Sequence, residues 1–151
     1  MVYITDMSLR NVPQGTTIWA IVRSLKHQKP GMIQVKDLSP SKELFHKYLS
    51  LKAVGRWNEA TFKEIYVPRF LYEIRSNKKA IDLLNEIYKI DKAGGDIALV
   101  CFCHEEDKCH RSIIAGLLQA VGCNVKTLTG NDYAAYHEMF KNTDITKPCP
   151  L

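Results

Sequence analysis

The chain has 151 residues, a formal net charge of +5, and 46% hydrophobic and 25% charged side chains. That is enough for one domain whose core needs neither disulfide nor metal staples. No apolar run approaches the roughly 20 residues of a membrane span, and a charge this small falls short of a nucleic-acid footprint unless it gathers on one face.

Met1 to Asp6 shows no basic stretch followed by an apolar one, so no secretory leader is expected. The five cysteines are odd in number and clustered, which favours reduced thiols in a cytoplasmic protein over a disulfide framework. Val2–Thr5 reads as the first strand, and Asn11–Gly15 as a turn. Thr16–Val22 is a nearly continuous β-branched and aromatic run, as in a strand of a parallel sheet buried on both faces. It ends at Arg23-Ser24, and Met32–Val35 reads as a short extra or edge strand. Lys26, Lys29, Lys36, Lys42, Lys47 and Lys52, with His27 and His46 among them, read as a solvated surface.

Ser39 and Pro40 look like the cap and first residue of a helix with Leu44, Phe45, Tyr48 and Leu49 on its apolar face. Asn58 is expected to cap the next helix, which carries Phe62, Ile65, Tyr66, Phe70, Leu71 and Ile74. Pro68 predicts a kink or boundary within it. A third helix with Ile81, Leu84, Ile87 and Tyr88 ends at Gly94-Gly95. A central strand over 97–103, a helix over about 108–121 closed by Gly122, a strand over 124–129 and a short helix over 132–141 complete the order. Residues 1–143 are expected to form one domain and 144–151 a C-terminal tail. Strands alternating with helices give an α/β class: a mainly parallel sheet flanked by helices, Rossmann-like.

The chemistry concentrates where the central strand ends. Cys101, Cys103, His104, Cys109, His110, Arg111 and Ser112 fall in one short stretch, at the strand end where open α/β sheets bind ligands. Cys101 and Cys103, two apart, point to one side. With Asp107 as helix cap, Cys109, His110 and Arg111 fill the first turn. There the helix dipole and neighbouring cations depress a thiol's pKa, and free N–H groups with an arginine hold an anion. Cys109, His110 and Cys103 are therefore the catalytic candidates.

Arg23, Arg111, Ser112, His104, Trp57, Tyr66 and Arg69 are the candidate anion or substrate contacts. A metal centre is the alternative use of the same cysteines and histidines, although no standard zinc spacing is present. The phosphatase pattern of cysteine, five residues and arginine is absent, because Cys103 and the five residues after it are followed by Cys109 and not an arginine, and Cys109 has its own arginine only two further. Cys101 alone reads as a buried small hydrophobe. Cys123, Cys149 and His137 read as bland.

With these residues in view, the chain resembles the domain-of-unknown-function 488 family, in particular its YeaO-like branch. Ile18–Arg23, Leu38–Leu44 with Trp57 through Leu71, and Val100–Ser112 carry the likeness, over about residues 16–122. YeaO-like members commonly have aspartate before the strand-end arginine, where this chain has Val22. The resemblance implies the α/β fold and the crevice, and no general reaction.

The expectation is an intracellular protein that binds an anionic small molecule, a nucleotide or phosphorylated metabolite, and processes it at a helix-start Cys/His site. No cofactor, membrane or nucleic-acid partner is expected. A non-catalytic nucleotide- or partner-binding module, or a metal-binding or thiol redox protein, are the alternatives.

Overall fold

In the computed structural model, residues 1–26 and 28–139 are described. His27, the side chain of His137, Cys149 and the expected tail over 144–151 lie outside the described structure. Five strands form one all-parallel sheet: β1 (Val2–Asp6), β2 (Thr17–Ala20), β3 (Met32–Gln34), β4 (Ile97–Cys101) and β5 (Val125–Thr127), in the order β3-β2-β4-β1-β5. The α/β class expected from the sequence is the class observed.

The helices are α1 (Lys42–Ala53), α2 (Glu59–Thr61), α3 (Val67–Arg75), α4 (Lys78–Lys92), α5 (His110–Ala120) and α6 (Ala134–Met139). β4 is apolar along its length because both faces are covered. Ile97 and Leu99 pack with Val2, Ile4 and Trp19 into the core beneath the helices. Ala98 and Val100 face the other way, into a smaller cluster with Ala20, Val22 and Met32. The period-two alternation thus divides one strand between two cores. The second is closed by loop residues such as Leu9, Val12 and Leu25 rather than by a helix.

Several boundaries differ from the sequence expectation for identifiable reasons. Ser41, not Ser39, caps α1: its hydroxyl accepts Leu44 N–H at 3.1 Å, while Ser39 closes a preceding 3-10 turn. Glu73 anchors that cap, accepting from both Ser41 N–H and the Ser41 hydroxyl. Phe45 and Leu49, assigned to an apolar face, are exposed, and Leu44 is the buried residue of α1.

Asn58 does cap its helix, in a reciprocal box with Thr61. Pro68 falls in the first turn of α3, directly after a π-helical stretch over Phe62–Tyr66. The widened turn ends with Val67 N–H donating to the Phe62 carbonyl, and the proline follows in the first turn of α3, where a missing N–H is tolerated. Gly116 lets α5 meet the chain before α6 closely, since a Cβ there would lie 2.3 Å from the Tyr133 carbonyl oxygen.

Candidate functional site

The carboxyl ends of β2 and β4 lie side by side, tied by Ile21 N–H to the Val100 carbonyl at 3.0 Å. β4 ends at Cys101, two residues earlier than expected, so Cys103 belongs to the following loop. A 3-10 turn over Glu106–Lys108 then leads into α5. The buried Glu106 carboxylate holds this turn against the end of β5, accepting Leu128 N–H at 2.9 Å and the Thr129 hydroxyl at 3.1 Å. The cap of α5 is Cys109 rather than Asp107, because the 3-10 turn consumes the acidic residues before the helix begins.

This arrangement gathers three thiols. The Cys101 sulfur lies 3.6 Å from that of Cys103 and 3.6 Å from that of Cys109, and all three sulfurs fall within 4.8 Å of one another. The helix-start expectation put the reactive thiolate on Cys109. Burial instead pushes the Cys109 thiol well up, with its two thiol neighbours adding to the shift. Cys101 is held far below the ordinary thiol range by S–H contacts from Cys103 and Cys109, with Arg111 contributing its charge. The contact with Cys101 in turn raises Cys103. The contacts therefore favour ionisation at Cys101 and protonation at its two neighbours.

His110 is buried, and burial lowers its pKa. Its Nε2–H donates to the Ile21 carbonyl at 2.6 Å, which leaves Nδ1 as the lone-pair nitrogen, 3.6 Å from the Cys109 sulfur. Phe70 packs edge-on against the ring, with centroids 5.6 Å apart. Arg111 is fully buried. Its terminal nitrogens donate to the Thr5 carbonyl at 2.7 Å and the Cys103 carbonyl at 2.6 Å. The fork therefore fixes the thiol loop onto β1.

A cavity of about 250 Å³ opens above the cluster. The three cysteines and His110 form its floor, and Phe45, Tyr48, Trp57, Tyr66 and Phe102 line its sides. Trp57 anchors this aromatic group, 4.6 Å from Tyr48 and 5.4 Å from Tyr66 between ring centroids. Arg23 and Lys108 stand at the wall, the former steadied by Nη1 on the Pro40 carbonyl at 3.3 Å and the latter with its ammonium 3.6 Å from Glu105 and 3.8 Å from Asp107.

Of the residues singled out from sequence, Cys103, Cys109, His110, Arg23, Trp57 and Tyr66 meet at this cavity. Four do not. Arg111 lies beneath the floor, held by carbonyls, and Ser112 donates to the Cys109 carbonyl at 2.8 Å inside its own helix start. His104 is exposed outside the cavity lining. Arg69 stands at the surface, 3.9 Å from Glu43.

Sequence reasoning undervalued Cys101, whose spacing of two from Cys103 was the available signal. It also passed over Lys108, Phe45, Tyr48 and Phe102, which only the fold brings to one place. No curated protein and no solved structure matches the chain significantly. A family model described as the active DUF488-N3 subclade matches residues 8–122, which takes in β2, β4, the thiol loop and all of α5. The chain belongs to the DUF488 family.

Proposed function

We propose that this protein binds a small molecule with a flat apolar portion and an anionic group, a nucleotide or a phosphorylated metabolite, and that the thiol cluster acts on it. The observation that carries this reading is the cavity itself: aromatic sides, two cations and a floor of thiols. Aromatic rings suit a planar body, and a few charged groups fix its orientation. Arg23 and Lys108 are the partners for the anionic group, a role the sequence had divided between Arg23 and Arg111. Cys101 supplies the nucleophilic sulfur, since the thiolate and not the thiol attacks. Cys109 stabilises that thiolate by donating to it, Cys103 lies 3.6 Å from it on the other side, and neutral His110 closes the floor beside Cys109.

Calorimetric titration with nucleoside monophosphates and sugar phosphates tests the binding half. Saturable binding is expected, weakened at least about tenfold by Arg23→Ala or Lys108→Ala, since a hydrogen bond to a charged group contributes roughly 1.5–3 kcal/mol. Binding that is indifferent to both substitutions sinks the anion assignment. Turnover of a bound compound that survives Cys101→Ser removes the thiolate from the chemistry.

A further inference from the structure

We propose that Cys101, Cys103 and Cys109 together form a binding site for one soft divalent cation of the zinc and cadmium type. Distance is the first argument. Tetrahedral coordination with a zinc–sulfur bond of about 2.3 Å places ligand sulfurs about 3.8 Å apart. Cys101 sits 3.6 Å from each of the other two sulfurs, and the third separation is within 4.8 Å. Closing onto an ion needs only sub-ångström movement, and none of the three is engaged in a disulfide.

Charge is the second argument. A divalent ion with three thiolates carries one net negative charge, costly to bury unless it is paired. Arg111 supplies one positive charge, fully buried, beside them. Among the described residues its Nε has no hydrogen-bond partner, and its fork is fixed by two carbonyls, one of them that of Cys103. A ligand's own backbone held by a buried donor is the outer-shell support that metal sites use. Thiolate donors also select soft ions over magnesium or calcium.

His110 Nδ1 reaches Cys109 alone of the three. Three protein ligands therefore leave a fourth position, facing the cavity that all three cysteines line, which is the coordination of a catalytic and not a structural zinc site. An ion there holds all three sulfurs, so a molecule in the cavity meets the ion in place of a free thiolate. The exchange balances without redox change: the ion binds three thiolates, and each S–H bond broken in forming them releases one proton.

Cadmium chloride is the probe, added to the full chain in a non-thiol reductant. Thiolate-to-cadmium charge-transfer absorption should rise to a break at one equivalent, with protons released on binding, read by calorimetry in two buffers. Excess magnesium should not displace the cadmium. Cys103→Ser should weaken binding by more than about 100-fold, the upper end of what losing an outer-shell partner costs, while Cys123→Ser leaves it unchanged. X-ray absorption on the wild-type protein counts the sulfur neighbours without any variant. Three sulfurs are expected; two or fewer, or a charge-transfer band undiminished in Cys103→Ser, would overturn the site. The site does not depend on binding of the phosphate-bearing ligand, so either binding assignment can fail while the other stands; a resident ion would displace only the role of Cys101 as free nucleophile.

Discussion

Helix α5 has a buried thiol at each end, and burial raises both, but the two stand in different company. At its start Cys109 touches Cys101 and His110, and the sulfur cluster supports an ionised thiol next to Arg111. Just past its end Cys123 is also buried, but its charged neighbours are Asp91 and Lys92. Desolvation, then the Asp91 charge, push it up to about 11, with Lys92 only partly opposing. Burial alone makes a thiol inert; burial among hydrogen-bond donors and a cation makes one sulfur anionic. The difference is one of neighbours, since helix and residue type are shared.

The largest break in this contrast should come from Arg111→Met. It removes the cation that favours the Cys101 thiolate and leaves the Thr5 and Cys103 carbonyls, 2.7 and 2.6 Å from the present fork, without their donors. A loss on the order of 3 kcal/mol is expected in urea unfolding, from two charge-assisted bonds. Thiol reactivity at neutral pH should fall with it. An Arg111→Met protein that unfolds like the wild type would mean that the fork is not what holds the thiol loop to β1.

Gly116→Ala should cost less, about 1–3 kcal/mol, through overpacking against the Tyr133 carbonyl. It acts between the two ends of α5, so stability should drop with no change in how the cluster ionises. A parallel fall in thiol reactivity would show that the helix position, and not the local donors, sets the Cys101 charge.

The two ends should also lose stability in different pH windows. His110, at the start, is held neutral by burial, below its ordinary 6.5. The unfolded chain then binds the extra proton, so stability falls as pH drops from 6.5 toward the folded value. Asp91, near the other end, is lowered: burial opposes this, but Asn124 N–H at 3.0 Å and the Met1 amine at 2.9 Å overcome it. Its contribution is present above 3.8 and lost as pH falls below that value. Urea midpoints across pH 3–7 should show the first loss flattened in His110→Gln and the second in Asp91→Asn. Removal of both by one substitution would merge the two ends into a single titrating unit.

The sequence was informative wherever a pattern had local causes. The alternation in β4, the Asn58 cap and the turn at Gly122, with φ of 94°, follow from neighbours in sequence. It misled where a partner came from elsewhere. Arg111 looked like an exposed helix-start cation, yet carbonyls on β1 and in the thiol loop draw it under the floor. Cys109 looked like the activated thiol because dipole arguments omit burial. Cys101 looked structural because its effect depends on two sulfurs that the loop folds back onto it. The aromatic sides of the cavity come from α1, the segment before α2 and the π-helical stretch, and no spacing rule joins those.

The smallest expected effect sharpens the opening contrast most directly. Brief treatment with iodoacetamide at pH 6, with sites assigned by mass spectrometry, compares the two ends in one molecule. Access is limited for both, since Cys101 is 3% exposed and Cys123 8%, so exposure favours Cys123 if anything. A cavity of about 250 Å³ nevertheless gives a small reagent a path to the cluster. Labelling of Cys101 should outpace that of Cys123 at least about tenfold, because reactivity follows thiolate population. Cys123→Ser should leave the cluster's rate unchanged. Equal rates would mean that exposure governs reactivity at both ends, and the thiolate assigned to Cys101 would lose its physical basis.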